Sequence, residues 1–318
     1  MKRMIYFILV IFLPHIGLSQ NRYQEIIADS VEVSTYTYAT KEGEKLNLDV
    51  YQAYEDWEEN RPIILYVHGG GFSGGTRDGA GIQQFCKRLA QLGYVSVSMS
   101  YRLTRKGKPE GFGCDCPAMD KLATFDAARE DIQDASFFLV ENRDMFRIDP
   151  YRMILAGSSA GAEAILNAGY QPPMCYDLPK GPVSYAGLIS MAGAMTDTAY
   201  IYDESAIPSL LFHGTCDNLV PYGIAPHHFC DENSKGYLML YGSYPIAQKL
   251  RELDVPYWLH TTCGAGHEIN WEPMVEYFDD IKEFCYEYII LGKREFRETV
   301  IPGDQTECTY GQFDFCNN

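Results

Sequence analysis

The chain has 318 residues and carries 26 Lys and Arg against 43 Asp and Glu, a formal charge of −17. That balance excludes a nucleic-acid binder, which needs a basic surface to displace counterions from phosphates, and it suits a secreted protein kept soluble by its charge. No linker, low-complexity tract or internal period interrupts the chain, so one compact domain is expected over residues 20–318.

The N-terminus reads Met1-Lys2-Arg3, then an apolar run over residues 4–13, then Gly17-Leu18-Ser19. This order of charged, apolar and small residues predicts a secretory signal peptide over 1–19, cleaved after Ser19. The run is too short to span a bilayer, so no stable membrane anchor is expected. All ten cysteines follow it, and export makes disulfides plausible.

Residues 31–38 and 46–51 alternate polar with apolar side chains and predict an opening antiparallel hairpin. Residues 63–67 and 95–99 are β-branched runs flanking a helical stretch over 82–92, as in a βαβ unit. The pattern continues with a helix over 122–141, a strand over 152–156, a helix over 160–168 and strands over 186–191 and 209–212. A helix over 243–252, a strand over 257–260 and a long closing helix over 272–290 complete it. About eight strands with helices between most of them predict an α/β fold with a doubly wound, mostly parallel sheet, whose active site lies at the strands' carboxyl ends.

Gly157-Ser158-Ser159-Ala160-Gly161 matches G-x-S-x-G between a predicted strand and a predicted helix. The glycines permit a sharp turn that holds the Ser159 hydroxyl above the sheet at the positive end of the helix. A second match, Gly71-Phe72-Ser73-Gly74-Gly75, lacks that context and falls in a glycine loop opened by His68, so Ser73 is read as a decoy. A hydrolytic serine needs a base and preorganised oxyanion donors. His267, in Cys263-Gly264-Ala265-Gly266-His267, lies in a glycine-rich loop beyond the last predicted strand, and Asp217 follows the preceding strand in His213-Gly214-Thr215-Cys216-Asp217. The order Ser, Asp, His is then complete.

These motifs, with Tyr101-Arg102-Leu103 and Ile148-Asp149-Pro150-Tyr151-Arg152, resemble the α/β-hydrolase superfamily over nearly the whole mature chain. Within it they resemble carboxylesterases with an HGGG motif, here His68-Gly69-Gly70-Gly71, both hormone-sensitive-lipase-like and acetylxylan- or feruloyl-esterase-like. The resemblance implies an α/β-hydrolase sheet of eight strands and an oxyanion hole formed by the backbone N–H groups of Gly70, Gly71 and Ala160. Two positions depart from the hormone-sensitive-lipase pattern: Ser158 stands where Asp is usual, and Thr104-Arg105-Lys106 where Ala-Pro-Glu is usual. The segment over 213–221 looks more like secreted bacterial esterases that trim acyl groups from plant polysaccharides.

Each assignment has a plainer competitor. Ser159 could be an ordinary helix N-cap and Asp217 a turn former, with Asp203 and Glu268 as alternative acids. His213 and His260 read as strand-end or core residues, and His68 as an anchor of the glycine loop. His227-His228-Phe229-Cys230-Asp231 resembles a set of metal ligands but lacks metal-site spacing, so no metal or organic cofactor is expected. Among cysteines, Cys86 and Cys285 sit in helical stretches as buried thiols, Cys114 and Cys116 are expected in separate disulfides, Cys216 and Cys263 to bridge the Asp and His loops, and Cys308 and Cys316 to clip the tail. The inserts over 104–120 and 171–183 would cap the acyl pocket. The reaction expected is hydrolysis of a small-molecule or glycan ester through an acyl-enzyme, with a serine peptidase of the same fold or a non-catalytic binding protein as rivals.

Overall fold

The computed structural model describes residues 22–170, 183–306, 308 and 312–317. The proposed signal peptide, most of the second insert and Cys175 lie outside the described residues. In chain order the strands and helices are β1 (Val31–Lys41), β2 (Glu44–Ala53), β3 (Arg61–Val67), α1 (Ala80–Gln91), β4 (Val95–Met99), α2 (Ala118–Glu141), α3 (Arg143–Phe146), β5 (Ile148–Ser158) and α4 (Ala160–Tyr170). Then follow β6 (Gly187–Met191), β7 (Ser209–Gly214), β8 (Ile224–Pro226), β9 (Met239–Tyr241), α5 (Ser243–Glu252), β10 (Tyr257–Thr262), α6 (Phe278–Phe284) and β11 (Phe296–Ile301).

The main sheet has nine strands in the order β1-β2-β4-β3-β5-β6-β7-β10-β11. Pairs β1/β2 and β2/β4 are antiparallel and every other pair is parallel. All eight expected strands are in it; the ninth is β11, beside β10. Alternation along each strand divides the core into two faces. Ile63, Leu65, Val67, Leu155, Leu188 and Leu211 pack with Ala128, Ile132, Ile165 and Ile246 of α2, α4 and α5. Ile64, Tyr66, Ile154, Ile189, Leu210 and Phe212 pack with Phe85 and Leu89 of α1 and Ile281 and Phe284 of α6. Strands buried on both faces read as the continuous apolar runs that marked them in the sequence.

The closing helix is not continuous. A 3₁₀ turn over Glu272–Met274, begun by Pro273, precedes α6, and a π-turn over Cys285–Ile290 follows it. Among the described residues no helix is long and apolar enough to cross a membrane.

Among the described residues three disulfides join Cys114 to Cys230, Cys216 to Cys308 and Cys263 to Cys316. The expected Cys216–Cys263 bridge and the Cys308–Cys316 clip are therefore both replaced: each loop cysteine pairs with the tail, which returns past the carboxyl ends of β7 and β10. Cys116, expected in a disulfide, is a buried free thiol, as are Cys86 and Cys285.

Candidate active site

The carboxyl ends of β3, β5, β7 and β10 each deliver a loop to one cleft of about 530 Å³. After β5 the chain turns at Ser159, whose φ of 51° lies in the left-handed region that L-residues seldom adopt. Ser159 N–H donates to Met191 O at 2.9 Å, and Glu163 N–H donates to Ser159 O at 2.9 Å, so the turn runs directly into α4. Space around it requires glycine: a Cβ at Gly161 would lie 2.1 Å from Val67 O, and one at Gly157 would lie 2.5 Å from Gly161 O.

Ser159 Oγ lies 2.8 Å from His267 Nε2, and His267 Nδ1 lies 2.7 Å from Asp217 Oδ2. Asp217 is buried, and its other oxygen accepts the N–H groups of Leu219 at 2.9 Å and Val220 at 3.0 Å. The turn-forming role and the histidine-orienting role thus belong to different oxygens of one carboxylate. Burial acts to raise the Asp217 pKa, but bonding to His213 and His267 outweighs it and holds the carboxyl below its usual range. His213 backs the acid: its Nε2 is 3.4 Å from Asp217 Oδ2 and 3.1 Å from Val220 O, while Nδ1 meets Ser243 Oγ at 2.9 Å.

The acid and histidine loops are bonded to each other. Cys216 N–H donates to Ala265 O at 2.9 Å, Gly264 N–H to Thr215 Oγ1 at 2.9 Å, and Thr215 N–H to Thr262 O at 3.1 Å. The competing acid Glu268 accepts Gly266 N–H at 2.7 Å and so shapes the histidine loop. His260 is buried in β10 with Nε2 3.5 Å from Asp280, and burial lowers its pKa to about 4.

Gly70, Gly71 and Ala160 all line the cleft. The glycine loop folds on itself, with Gly70 O accepting from Ser73 N–H at 3.1 Å and Gly74 N–H at 3.0 Å, and Gly70 (φ 120°) and Gly71 (φ 58°) take conformations suited to glycine. Ser73 Oγ also donates to Gly70 O, at 3.2 Å, so the second G-x-S-x-G closes a turn. His68 is buried, bonds Gly69 O through Nδ1 at 2.7 Å and stacks near Tyr101, whose hydroxyl donates to His68 O at 2.8 Å.

Cys230 is in a disulfide, and among the described residues no group of three or more His, Cys, Asp or Glu is arranged to hold a metal. His227 and His228 instead line the cleft with Phe112 of the first insert and with Glu163. Glu163 was missed by the sequence reading; its signal is a lone acid in the apolar run Ala160-Gly161-Ala162-Glu163-Ala164-Ile165-Leu166, one turn after the serine.

A serine held in a sharp strand-to-helix turn above a mostly parallel sheet, with a bonded histidine and acid in loops after later strands, is the arrangement of the α/β-hydrolase fold, and this chain has that fold. Residues 48–173 match the BD-FAE family model. The chain is 30 % identical over 130 residues to a fumonisin B1 esterase of Sphingopyxis macrogoltabida, covering 38 % of this chain and 22 % of that protein. It is 35 % identical over 105 residues to esterase B1 of Culex pipiens, covering 33 % of this chain and 18 % of that protein. It therefore spans about a fifth of the length of these curated relatives. The propionate-bound structure of a thermophilic esterase from Thermogutta terrifontis superposes with a TM-score of 0.56 at 16 % identity, over 78 % of this chain and 93 % of that one.

Proposed function

We propose that this protein is a secreted serine carboxylesterase that cleaves short-chain acyl esters, with acetyl or feruloyl groups on polysaccharides as its substrate class. The observation that carries the reading is the continuous bonded series Ser159 Oγ, His267, Asp217, opening on a cleft lined by Gly70, Gly71 and Ala160. Ser159 Oγ attacks the ester carbonyl carbon as its proton passes to His267 Nε2. The oxyanion so formed is met by N–H groups of Gly70, Gly71 and Ala160, each such donor being worth about 3–4 kcal/mol. The tetrahedral centre collapses, the C–O bond breaks, and His267 returns the proton to the departing alcohol. Water, deprotonated by the same imidazole, then releases the acid from Ser159. Asp217 stays ionised throughout and steadies the imidazolium.

The esterase names of the relatives and the propionate held by the Thermogutta terrifontis enzyme support a short-acyl ester substrate. The three disulfides and the leader-like N-terminus support an oxidising compartment outside the cytoplasm. Hydrolysis of 4-nitrophenyl esters from acetate to palmitate tests the reading, beside Ser159→Ala and Ser73→Ala. Activity on short chains that is lost in Ser159→Ala and kept in Ser73→Ala is expected; survival in Ser159→Ala overturns the assignment. N-terminal sequencing of the exported protein is expected to begin at Gln20.

A further inference from the structure

Two side chains in the cleft wall take no part in the acyl transfer just described. Glu163 is 2 % exposed and His227 1 % exposed, and both line the cleft beside Ser159. His227 Nε2 lies 3.4 Å from Glu163 Oε1, yet neither Glu163 Oε1 nor His227 Nδ1 has a hydrogen-bond partner. The neighbouring Lys121 ammonium donates to Gly236 O at 2.7 Å. Buried polar atoms in native proteins are almost always paired, so two left unpaired in side chains of a cleft wall point to a ligand.

The chain holds this pair in place with unusual means. His227 N–H donates to Leu238 O at 2.8 Å and His228 N–H to Leu219 O at 2.9 Å, and the Cys114–Cys230 disulfide ties their loop to the first insert. His228 and Phe229 both have positive φ, 55° and 51°, which non-glycine residues rarely adopt unless the surroundings impose it. Rings of Phe112 and Phe125 lie 5.0 and 6.5 Å from His227.

We propose that Glu163 and His227 form a specificity subsite for a hydroxyl group carried by the ester substrate close to its scissile bond. A hydroxyl both donates and accepts, and so can satisfy the two orphaned atoms together. A neutral group suits the pair because both side chains are buried, where a charged ligand would lose its hydration at high cost. The protonation states fit: burial first, and the Asp217 carboxylate second, push the Glu163 acid well above the usual carboxylate range, while burial first, then His228 and Lys121, push the His227 imidazole well down. Both changes favour uncharged partners. A plain alkyl ester leaves both atoms unpaired, and rejection of an analogue that lacks a bonded hydroxyl is a strong form of discrimination.

This inference rests on the esterase reading, and its test separates the two. The hydroxyl could sit on the acyl or the alcohol side, so kcat/KM is measured for two matched pairs: 4-nitrophenyl butyrate against 4-nitrophenyl 3-hydroxybutyrate, and cyclohexyl acetate against trans-2-hydroxycyclohexyl acetate. In the wild type the hydroxylated member of one pair is expected to be preferred by about 10- to 100-fold over what its chemistry alone gives in base hydrolysis. The ratio is expected to collapse in Glu163→Met and His227→Phe and to persist in Glu163→Gln, whose amide also donates and accepts. Absence of preference in the wild type, or an unchanged ratio in folded Glu163→Met, overturns the proposal. Failure to hydrolyse any of the four esters overturns the esterase reading instead, and the subsite is then judged by calorimetric binding of both members of each pair to Ser159→Ala.

Discussion

Replacing Asp217 by Asn isolates what the acid does for the base. The amide is close to isosteric, and its oxygen can still accept the Leu219 and Val220 N–H groups that Oδ1 accepts now at 2.9 and 3.0 Å. The other end changes sign: an N–H₂ group would replace the oxygen that lies 2.7 Å from His267 Nδ1. A donor there demands that Nδ1 accept, which puts the ring proton on Nε2, facing Ser159 Oγ 2.8 Å away. In that tautomer the imidazole cannot take the serine proton. The corresponding change in chymotrypsin-like proteases lowers kcat about 10⁴-fold, or about 5.5 kcal/mol of barrier, and the same order is expected here with KM within a few-fold. The assay is steady-state hydrolysis of 4-nitrophenyl acetate near pH 7.5, beside far-UV circular dichroism to establish folding. A folded Asp217→Asn variant that keeps a tenth or more of wild-type kcat would refute the orienting role. Glu268→Gln serves as the control, with a change below about 3-fold expected because Glu268 bonds only within its own loop.

Three further outcomes are expected. Cys216→Ser with Cys308→Ser opens a bridge of 92 residues' separation and is expected to remove up to about 4–5 kcal/mol by loop entropy, lowering Tm while kcat at 25 °C changes little, because the Asp217 and His267 loops remain bonded to each other; a large loss of kcat at unchanged Tm would contradict this. Gly264→Ala places a Cβ 2.2 Å from Asp304 O at a φ of +77°, so a loss of about 1–3 kcal/mol or more is expected in urea unfolding, and a neutral result would show that this approach is not close in solution. His260, lowered by burial to about 4, binds a proton more readily when unfolded, so its contribution to stability is complete above about pH 6.5 and is lost as pH falls through about 4; a urea-midpoint profile for His260→Asn should be flatter than wild type across that window.

The central strands were legible because strands covered on both faces are apolar along their whole length, and the strand-to-helix turn at Ser159 was legible because its glycine motif lies between two such predicted elements. β11 escaped because it is an edge strand with charged Arg297 and Glu298 in its middle; it is joined to the core by Trp258, whose Nε1–H donates to Thr299 Oγ1 at 2.9 Å and whose ring lies 3.8 Å from the Arg297 guanidinium. The break after residue 284 has no marker residue: the π-turn over Cys285–Ile290, with Cys285 and Tyr288 buried, contains neither glycine nor proline. Disulfide partners were the least accessible feature. Nearness in sequence to a catalytic residue suggested that Cys216 and Cys263 face each other, whereas hydrogen bonds already join those loops and both thiols reach the returning tail.

The position of Glu163 also bears on which esters suit the cleft. Its N–H is bonded to Ser159 O, so its backbone is one helical turn from the nucleophile, a rise of about 5.4 Å. Side chains on a helix lean toward its N-terminus, and here that direction leads back to Ser159. The Glu163 side chain and Ser159 line the same cleft. A hydroxyl bonded to Glu163 in the proposed subsite would lie near the scissile carbonyl, as the neighbouring hydroxyl of an acetylated sugar ring does. The phenolic hydroxyl of a feruloyl group sits at the far end of a rigid conjugated acyl chain and would point past the pair. A feruloylated sugar carries the same neighbouring hydroxyl on its alcohol side, so the proposed subsite would read either polysaccharide ester through the sugar. Comparison of kcat/KM for an acetylated pyranoside and for methyl ferulate tests this: the loss in Glu163→Met is expected on the pyranoside alone, and an equal loss on methyl ferulate, which has no sugar hydroxyl, would place the bonded hydroxyl on the acyl chain.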